Sequence, residues 1–248
     1  MRTIAICVSK GGVGKTTTAV NLAAAAVKDG QRVLLVDMDP QANATFTLQQ
    51  DDNIDANIMT AMDGEKKTEE IIVHCENGID LAPAPAQARY ETVNQALNDL
   101  REALSQVAAD YDVCLIDLGP GYGDLTACAL VAANYLIIPV QADLNAAKAV
   151  KDTEELIELA RTANPGLALM GLLRTRWRTR DRVQSLIAPL LEGWAAEGTP
   201  IFETKIRECV GLRQASANQE TIFDYALNSV GAEDYENLWK EIQKQIQK

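Results

Sequence analysis

The feature that most constrains this chain is the stretch Ser9 to Thr18, SKGGVGKTTT, which directly follows the apolar run Thr3 to Val8. Its glycines tolerate positive φ and close backbone approach, so successive N–H groups can line a concavity of phosphate size. From Lys10 to Thr16 it reads K-G-G-x-G-K-T, the pattern G-x-x-x-x-G-K-[ST] with its first glycine displaced. In such a loop Gly11, Gly12, Val13, Gly14, Lys15, Thr16 and Thr17 are nucleotide-binding candidates. Lys15 supplies a point charge to the β- and γ-phosphates, and the Thr16 hydroxyl is placed to ligate Mg²⁺. The continuation TTTAVNLAAAAVKDG is helical by its alanine and leucine content and stops at Gly30. Strand, glycine loop and helix N-terminus thus come in the order that a nucleoside triphosphate site requires. A plain tight turn is the bland alternative, and the flanking strand, the helix and the Lys-Thr pair all weigh against it.

Further apolar runs deliver carboxylates to the same end of such a fold. Gln31 to Asp37 (QRVLLVD), bounded by Gly30 and an Asp-Pro turn, is predicted as a second buried strand. It carries Asp37 and Asp39 to a strand's carboxyl end, where open α/β sheets place their ligands. Paired carboxylates beside a phosphate loop repel phosphate but suit Mg²⁺ or the orientation of a water; capping of the next helix is the alternative. Tyr111 to Asp117 (YDVCLID) is another buried strand, and Asp117 stands at the Walker B position, where a carboxylate holds Mg²⁺ through a water. Strands are also predicted at Gly78 to Pro85, Tyr135 to Val140 and Leu167 to Thr175. Helices are predicted around Ile54 to Met62, from about Arg89 to Ala109, from the QADLNAAKAV segment to about Asn164, and from Gly231 to Lys248. Val93, Leu97, Leu100, Leu104 and Val107 give the second of these a core face, and Thr221 to Ser229 reads as a turn-like passage.

A general P-loop ATPase does not need a lysine ahead of the first glycine. With Lys10 at this spacing the chain resembles the deviant Walker A motif of the ParA/MinD family. MDPQANAT resembles that family's D-x-D-P-Q-x-N-x-T at Asp37, Asp39, Pro40, Gln41, Asn43 and Thr45. IFETKIRECVGLRQASANQ resembles its late I-P-R-x-V-x-L-x-x-A segment at Ile206, Val210, Leu212 and Ala215, although Arg207-Glu208 stands where Pro-Arg is usual. The turn Leu118-Gly119-Pro120-Gly121 is richer in glycine than the family's Thr-Pro-Pro. These segments span nearly the whole chain in family order and match the small, Soj-like branch. The resemblance implies one α/β P-loop NTPase domain over residues 1–248, with a mostly parallel sheet, helices on both faces and no N-terminal helix-turn-helix domain. It implies catalytic roles for Lys10, Lys15 and Asp39, with Lys10 reaching across a dimer interface and Asp39 positioning the attacking water. Asp37 would support a metal site with Thr16 and Asp117, and Arg174 and Thr175 would lie near the adenine.

A formal net charge of −12 argues against a surface that is basic all over, so nucleic-acid binding needs a local patch. RTRWRTRDR supplies one, with Arg174, Arg176, Arg178, Arg180 and Arg182 alternating around Trp177. Arg176, Arg178, Arg180, Arg207 and Arg213 are the DNA-binding candidates; a clamp on the bound nucleotide, or a solvated charge run, is the alternative. Cys7, Cys75, Cys114, Cys128 and Cys209 are scattered, without a CxxC pair, and read as reduced, cytosolic and structural. No run approaches the ~18 apolar residues of a membrane span, so neither a transmembrane helix nor a signal peptide is expected. The last helix carries Tyr235, Leu238, Trp239, Ile242 and Ile246 on one face, beside lysines spaced by four. Packing against the sheet is the expectation, and a membrane-lying tail the alternative.

By resemblance, ATP and Mg²⁺ occupy the loop, and two protomers close into an ATP-dependent homodimer that binds double-stranded DNA without sequence preference. A ParB-like or adaptor partner then stimulates hydrolysis, and the cycle segregates or positions a plasmid, chromosome or protein assembly. A cytoplasmic, nucleoid-associated protein is implied. The rivals are a MinD-like membrane-cycling ATPase, an iron–sulfur reductase of the nitrogenase iron-protein type, which needs two cysteines per subunit at a shared cluster and finds no evident match in Cys114 and Cys128 flanking the Walker B turn, and a P-loop kinase or ligase acting on a small metabolite.

Overall fold

The computed structural model describes residues 1–49, 55–85, 97–121, 123–143, 146–178 and 182–247. The strands, in chain order, are β1 (Arg2–Ile6), β2 (Val33–Met38), β3 (Val73–His74), β4 (Asp80–Ala82), β5 (Val113–Leu118), β6 (Tyr135–Gln141), β7 (Ala168–Trp177) and β8 (Ile201–Arg207). The helices are α1 (Lys15–Lys28), α2 (Asn43–Leu48), α3 (Ile58–Met62), α4 (Asp99–Gln106), α5 (Asp124–Ala132), α6 (Ala146–Ala163), α7 (Arg182–Ala196), α8 (Val210–Ala217), α9 (Ile222–Ala226) and α10 (Val230–Ile246). Among the described residues the strands form one sheet in the order β3-β4-β2-β5-β1-β6-β7-β8, parallel throughout except where β3 meets β4.

The central strands are buried on both faces, which is why they read as continuous apolar runs. Their side chains alternate between two cores. Ala5, Leu34, Val36, Cys114 and Ile116 face one side with α3 to α7, whereas Ile4, Ile6, Val33, Leu35 and Leu115 face the other with α1 and α8 to α10. The architecture is therefore the expected α/β one, with helices on both faces. Parallel register sets Asp117 of β5 opposite Asp37 of β2 on one side and opposite Ile6 of β1 on the other. The phosphate loop leaves β1 beside both carboxylates as a result.

α1 is almost entirely buried, as its alanines allow, and ends in a Schellman turn. Gly30, at φ 82, donates its N–H to Val27 at 2.8 Å, and Gln31 donates to Ala26 at 3.1 Å. α10 packs over α1 and β8 with Tyr235, Leu238, Trp239 and Ile242 buried, which places the last helix on the sheet as expected. Other expectations shift. The passage after Thr221 forms the helix α9, nucleated when the Thr221 hydroxyl accepts from the Asp224 N–H at 3.2 Å. Within the 89–109 segment the helix is described over Asp99–Gln106; Leu100, Leu104 and Val107 are buried, Leu97 is exposed, and Val93 lies outside the described residues. β7 runs on to Trp177, so the basic stretch begins inside a strand.

Candidate active site

The loop after β1 turns on two glycines in the left-handed region, Gly12 at φ 75 and Gly14 at φ 92, where a side chain would be strained. Thr18 N–H closes the first turn of α1 on the Gly14 carbonyl at 2.9 Å, so the N–H groups of Lys15, Thr16 and Thr17 have no partner within the helix. These residues line a cleft of about 520 Å³ together with Gly11, Asp39 and Asn43. A second cavity of about 290 Å³ shares Gly12, Gly14 and Thr17 with it and continues to Thr175, Arg176 and Glu208. A 14-residue helix aimed N-terminus first into such a space is an anion site. Lys15 is 6% exposed and donates to the carbonyls of Val8 at 3.3 Å and Lys10 at 3.1 Å. Burial pulls its pKa down, opposed first by the charge on Asp117. Lys10 pairs with Asp143 in the loop after β6.

Three carboxylates stand beside the loop, each held differently; Asp39 lines the cleft, and Asp37 and Asp117 are fully buried behind it. One Asp37 oxygen accepts from Asp39 N–H at 3.0 Å, and the other from the Thr45 N–H and hydroxyl, both at 2.8 Å, so this carboxylate also fixes the start of α2. Asp39 accepts from Gln41 N–H at 2.9 Å in an Asx turn. The Walker B turn presses on it: a Cβ at Gly119 would lie 2.9 Å from Asp39 Oδ1 and 3.1 Å from Pro40 Cδ. In the turn after Asp117, Gly119 is therefore the glycine that this close approach requires. Asp117 is fully buried, and neither of its oxygens has a partner at hydrogen-bond geometry, although the nearby Thr16 hydroxyl favours its charged form. Burial, then repulsion from Asp37, pushes the Asp117 carboxyl well above the ordinary range, and burial raises Asp37 as well. A buried, unsatisfied carboxylate beside a threonine hydroxyl, a second carboxylate and a phosphate loop fits a hard divalent cation such as Mg²⁺.

The remaining candidates divide. Thr175 is tied to the loop, its hydroxyl donating to the Val13 carbonyl at 2.8 Å. Arg174 instead donates to the carbonyls of Phe202 at 2.6 Å and Glu203 at 2.9 Å and lies over the Trp177 ring. Arg207 is bound into α10, with Asp234 at 2.6 Å and Glu233 at 2.6 Å, which engages the charge assigned to DNA. Arg176 and Arg178 both pair with Glu208, Arg213 is exposed on the wall of the second cavity, and Arg180 lies outside the described residues. The Cys114 and Cys128 side chains are buried in β5 and α5, and burial pushes their thiols up to about 12 and about 11, so they behave as inert filler rather than cluster ligands at a shared surface. Sequence reasoning missed Asp143, whose signal was an acid just past the carboxyl end of a buried strand. It also missed Ser216 and Glu220, which reach the first cleft from α8 and the turn after it and carry no local signal.

An AAA domain family matches residues 1–169. The chain is 38% identical over 250 residues to the chromosome-partitioning ATPase Soj of Thermus thermophilus, covering 100% of this chain and 97% of that one. It is 35% identical over 249 residues to the chromosome partitioning protein ParA of Myxococcus xanthus, covering 96% and 87% respectively. Among solved structures, a cobyrinic acid a,c-diamide synthase from Mycobacterium smegmatis with bound ADP and magnesium superposes at a TM-score of 0.84 with 28% identity, over 100% of this chain and 96% of that one. Full-length identity at this level, on a fold whose phosphate loop and carboxylates sit as described, means that the chain belongs to the ParA/MinD family of P-loop ATPases, among its ParA/Soj-type partitioning members.

Proposed function

We propose that this protein is a ParA-type ATPase that binds ATP with Mg²⁺, closes into a homodimer, binds double-stranded DNA without sequence preference, and hydrolyses ATP when a ParB-like or adaptor partner engages it. The cycle would segregate or position a plasmid, chromosome or protein assembly on the nucleoid. The observation that carries the ATPase reading is Asp117, a buried carboxylate without a partner at hydrogen-bond geometry, close to Lys15 and Thr16 of the phosphate loop. Thr16 and Lys15 offset only part of the cost of burying this charge, and a bound cation would offset the rest. The loop amides and Lys15 bind the β- and γ-phosphates. Thr16 and Asp117, with Asp37 behind them, would hold Mg²⁺, whose chemistry is to neutralise charge on the phosphate oxygens. Asp39, fixed by its Asx turn and by Gly119, orients the attacking water. Lys10, about one-third exposed, would exchange its pair with Asp143 for the partner protomer's nucleotide, and that exposure supports the role.

The DNA step is supported by the exposed cations Arg176, Arg178 and Arg213 beside the second cavity, and the cargo class by the names of the partitioning relatives. The membrane-cycling alternative is disfavoured by α10, whose apolar face is occupied by α1 and β8. The test measures ATP hydrolysis and binding to a nonspecific duplex with ATP, ADP or no nucleotide, for wild type, Lys15→Ala, Asp39→Ala and Lys10→Ala. Lys15→Ala is expected to abolish nucleotide binding. Asp39→Ala should bind ATP and DNA but hydrolyse about 10²-fold or more slowly, and Lys10→Ala should lose ATP-dependent dimerisation and DNA binding. Wild type that hydrolyses ATP yet binds no DNA in any state would remove the DNA step and leave the ATPase.

A further inference from the structure

We infer that Glu208 is an internal competitor for DNA phosphate: it holds Arg176 and Arg178 in ion pairs, and nucleotide in the adjoining cavity loosens that hold. The inference rests on the DNA-binding reading above. Between the pairs Arg174↔Lys205 and Trp177↔Arg207, β7 carries one residue more than β8. In that irregularity Arg176 takes φ 50, a conformation that L side chains rarely adopt. Bulges of this kind re-aim a side chain next to a site. Here the Arg176 guanidinium stands 3.9 Å from Glu208, and the same carboxylate accepts from Arg178 Nε. Glu208 is anchored to β7, its N–H donating to the Trp177 carbonyl at 3.0 Å. Its side chain is 17% exposed, against 46% for Arg176 and 62% for Arg178, so the acid lies inside and the cations outside.

A guanidinium takes carboxylate and phosphate through the same donors. With Glu208 in place, the two arginines present one net charge to a duplex instead of two. Arg176 and Glu208 also line the second cavity, which shares Gly12, Gly14 and Thr17 with the phosphate loop. A polyanion bound there attracts Arg176 and repels Glu208, which frees Arg178 at the surface. The same contacts thus explain how a chain of formal charge −12 could bind DNA in one nucleotide state and not in another.

The experiment measures duplex binding by fluorescence anisotropy over a range of salt, with and without ATP, for wild type, Glu208→Gln, and Glu208→Gln combined with Arg178→Ala. Without nucleotide, Glu208→Gln is expected to bind about tenfold more tightly than wild type at low salt. Its log–log salt slope should steepen by about one to two units, the signature of one or two added phosphate contacts. ATP should add less to this variant than to wild type, and the double variant should lose the gain. Equal nucleotide-free binding by wild type and Glu208→Gln, with wild type still binding in ATP, overturns the clasp alone. A gain that survives in the double variant overturns the part given to Arg178. No binding by any protein in any state overturns the DNA reading, and the clasp with it.

Discussion

Asp117 sets the balance between stability and function at the level of single residues. Its carboxylate is fully buried, lacks a hydrogen-bond partner and lies across one strand pair from Asp37. In the absence of metal, burial and then the charge on Asp37 raise the pKa of Asp117, while burial raises that of Asp37. A carboxyl whose folded pKa is raised keeps its full stability contribution below the unfolded value and loses it as pH rises through the folded one. The metal-free protein in EDTA should therefore lose stability as pH rises from about 4, the ordinary carboxylate value. Asp117→Asn removes the repulsion from Asp37, so at neutral pH the variant should melt higher than wild type in EDTA, by about 2–4 °C for each kcal/mol relieved, and its stability should vary less with pH. The same variant should lose the extra thermal shift that Mg²⁺ adds to ATP. Thermal scans at several pH values, with EDTA or with Mg²⁺ and ATP, read both effects. A variant that melts lower than wild type in EDTA would contradict the account of Asp117 as a strained, functional group.

At the scale of elements, the strand–loop–helix order was legible because each signal is local. The buried strands are apolar runs, Gly12 and Gly14 mark the positive φ of the loop, and Gly30 marks the stop of α1. Chain order then put Asp37 and Asp117 at strand ends, and parallel pairing brought them level. What the sequence did not reveal depends on contacts between distant segments. Arg207 and Arg178 are both arginines near an acid in the linear chain, Glu208 and Asp181 respectively, yet β8 turns Arg207 into the first turn of α10 and leaves Arg178 at the surface. Arg207 donates its N–H and Nε to Asp234 at 2.8 and 2.9 Å, and Asp234 is buried. Charge-assisted bonds of this kind are each worth about 1.5–3 kcal/mol, less here because the guanidinium is partly exposed. Arg207→Ala should consequently destabilise the fold by about 1–3 kcal/mol through the β8–α10 junction and leave the salt slope of DNA binding unchanged. Chemical denaturation and a salt titration on the same preparation separate the two. A flatter salt slope without loss of stability would return Arg207 to the DNA surface.

Over the whole molecule, a net charge of −12 opposes approach to a polyanion, while the proposed contact surface is small and basic. The two act over different ranges. At 0.15 M ionic strength exposed charges are screened beyond about 8 Å, so the acids on the far faces contribute little to a docked complex. The contact is then governed by the cations at the end of β7 and on α8, namely Arg176, Arg178 and Arg213, because Arg207 is engaged by α10 and Arg174 by the carbonyls of β8. Each phosphate neutralised contributes about 0.9 to the log–log salt slope, so three arginines set an expected slope of about −3 per protomer in ATP. At low salt the unscreened acidic bulk slows encounter and holds affinity below what three contacts alone would give. The curve of log affinity against log salt should therefore bend, flatter below the point where the Debye length reaches about 10 Å and near −3 above it. Arg213→Ala should reduce the upper slope by about one unit. A straight line much steeper than −3 would mean that cations outside this cluster carry the contact.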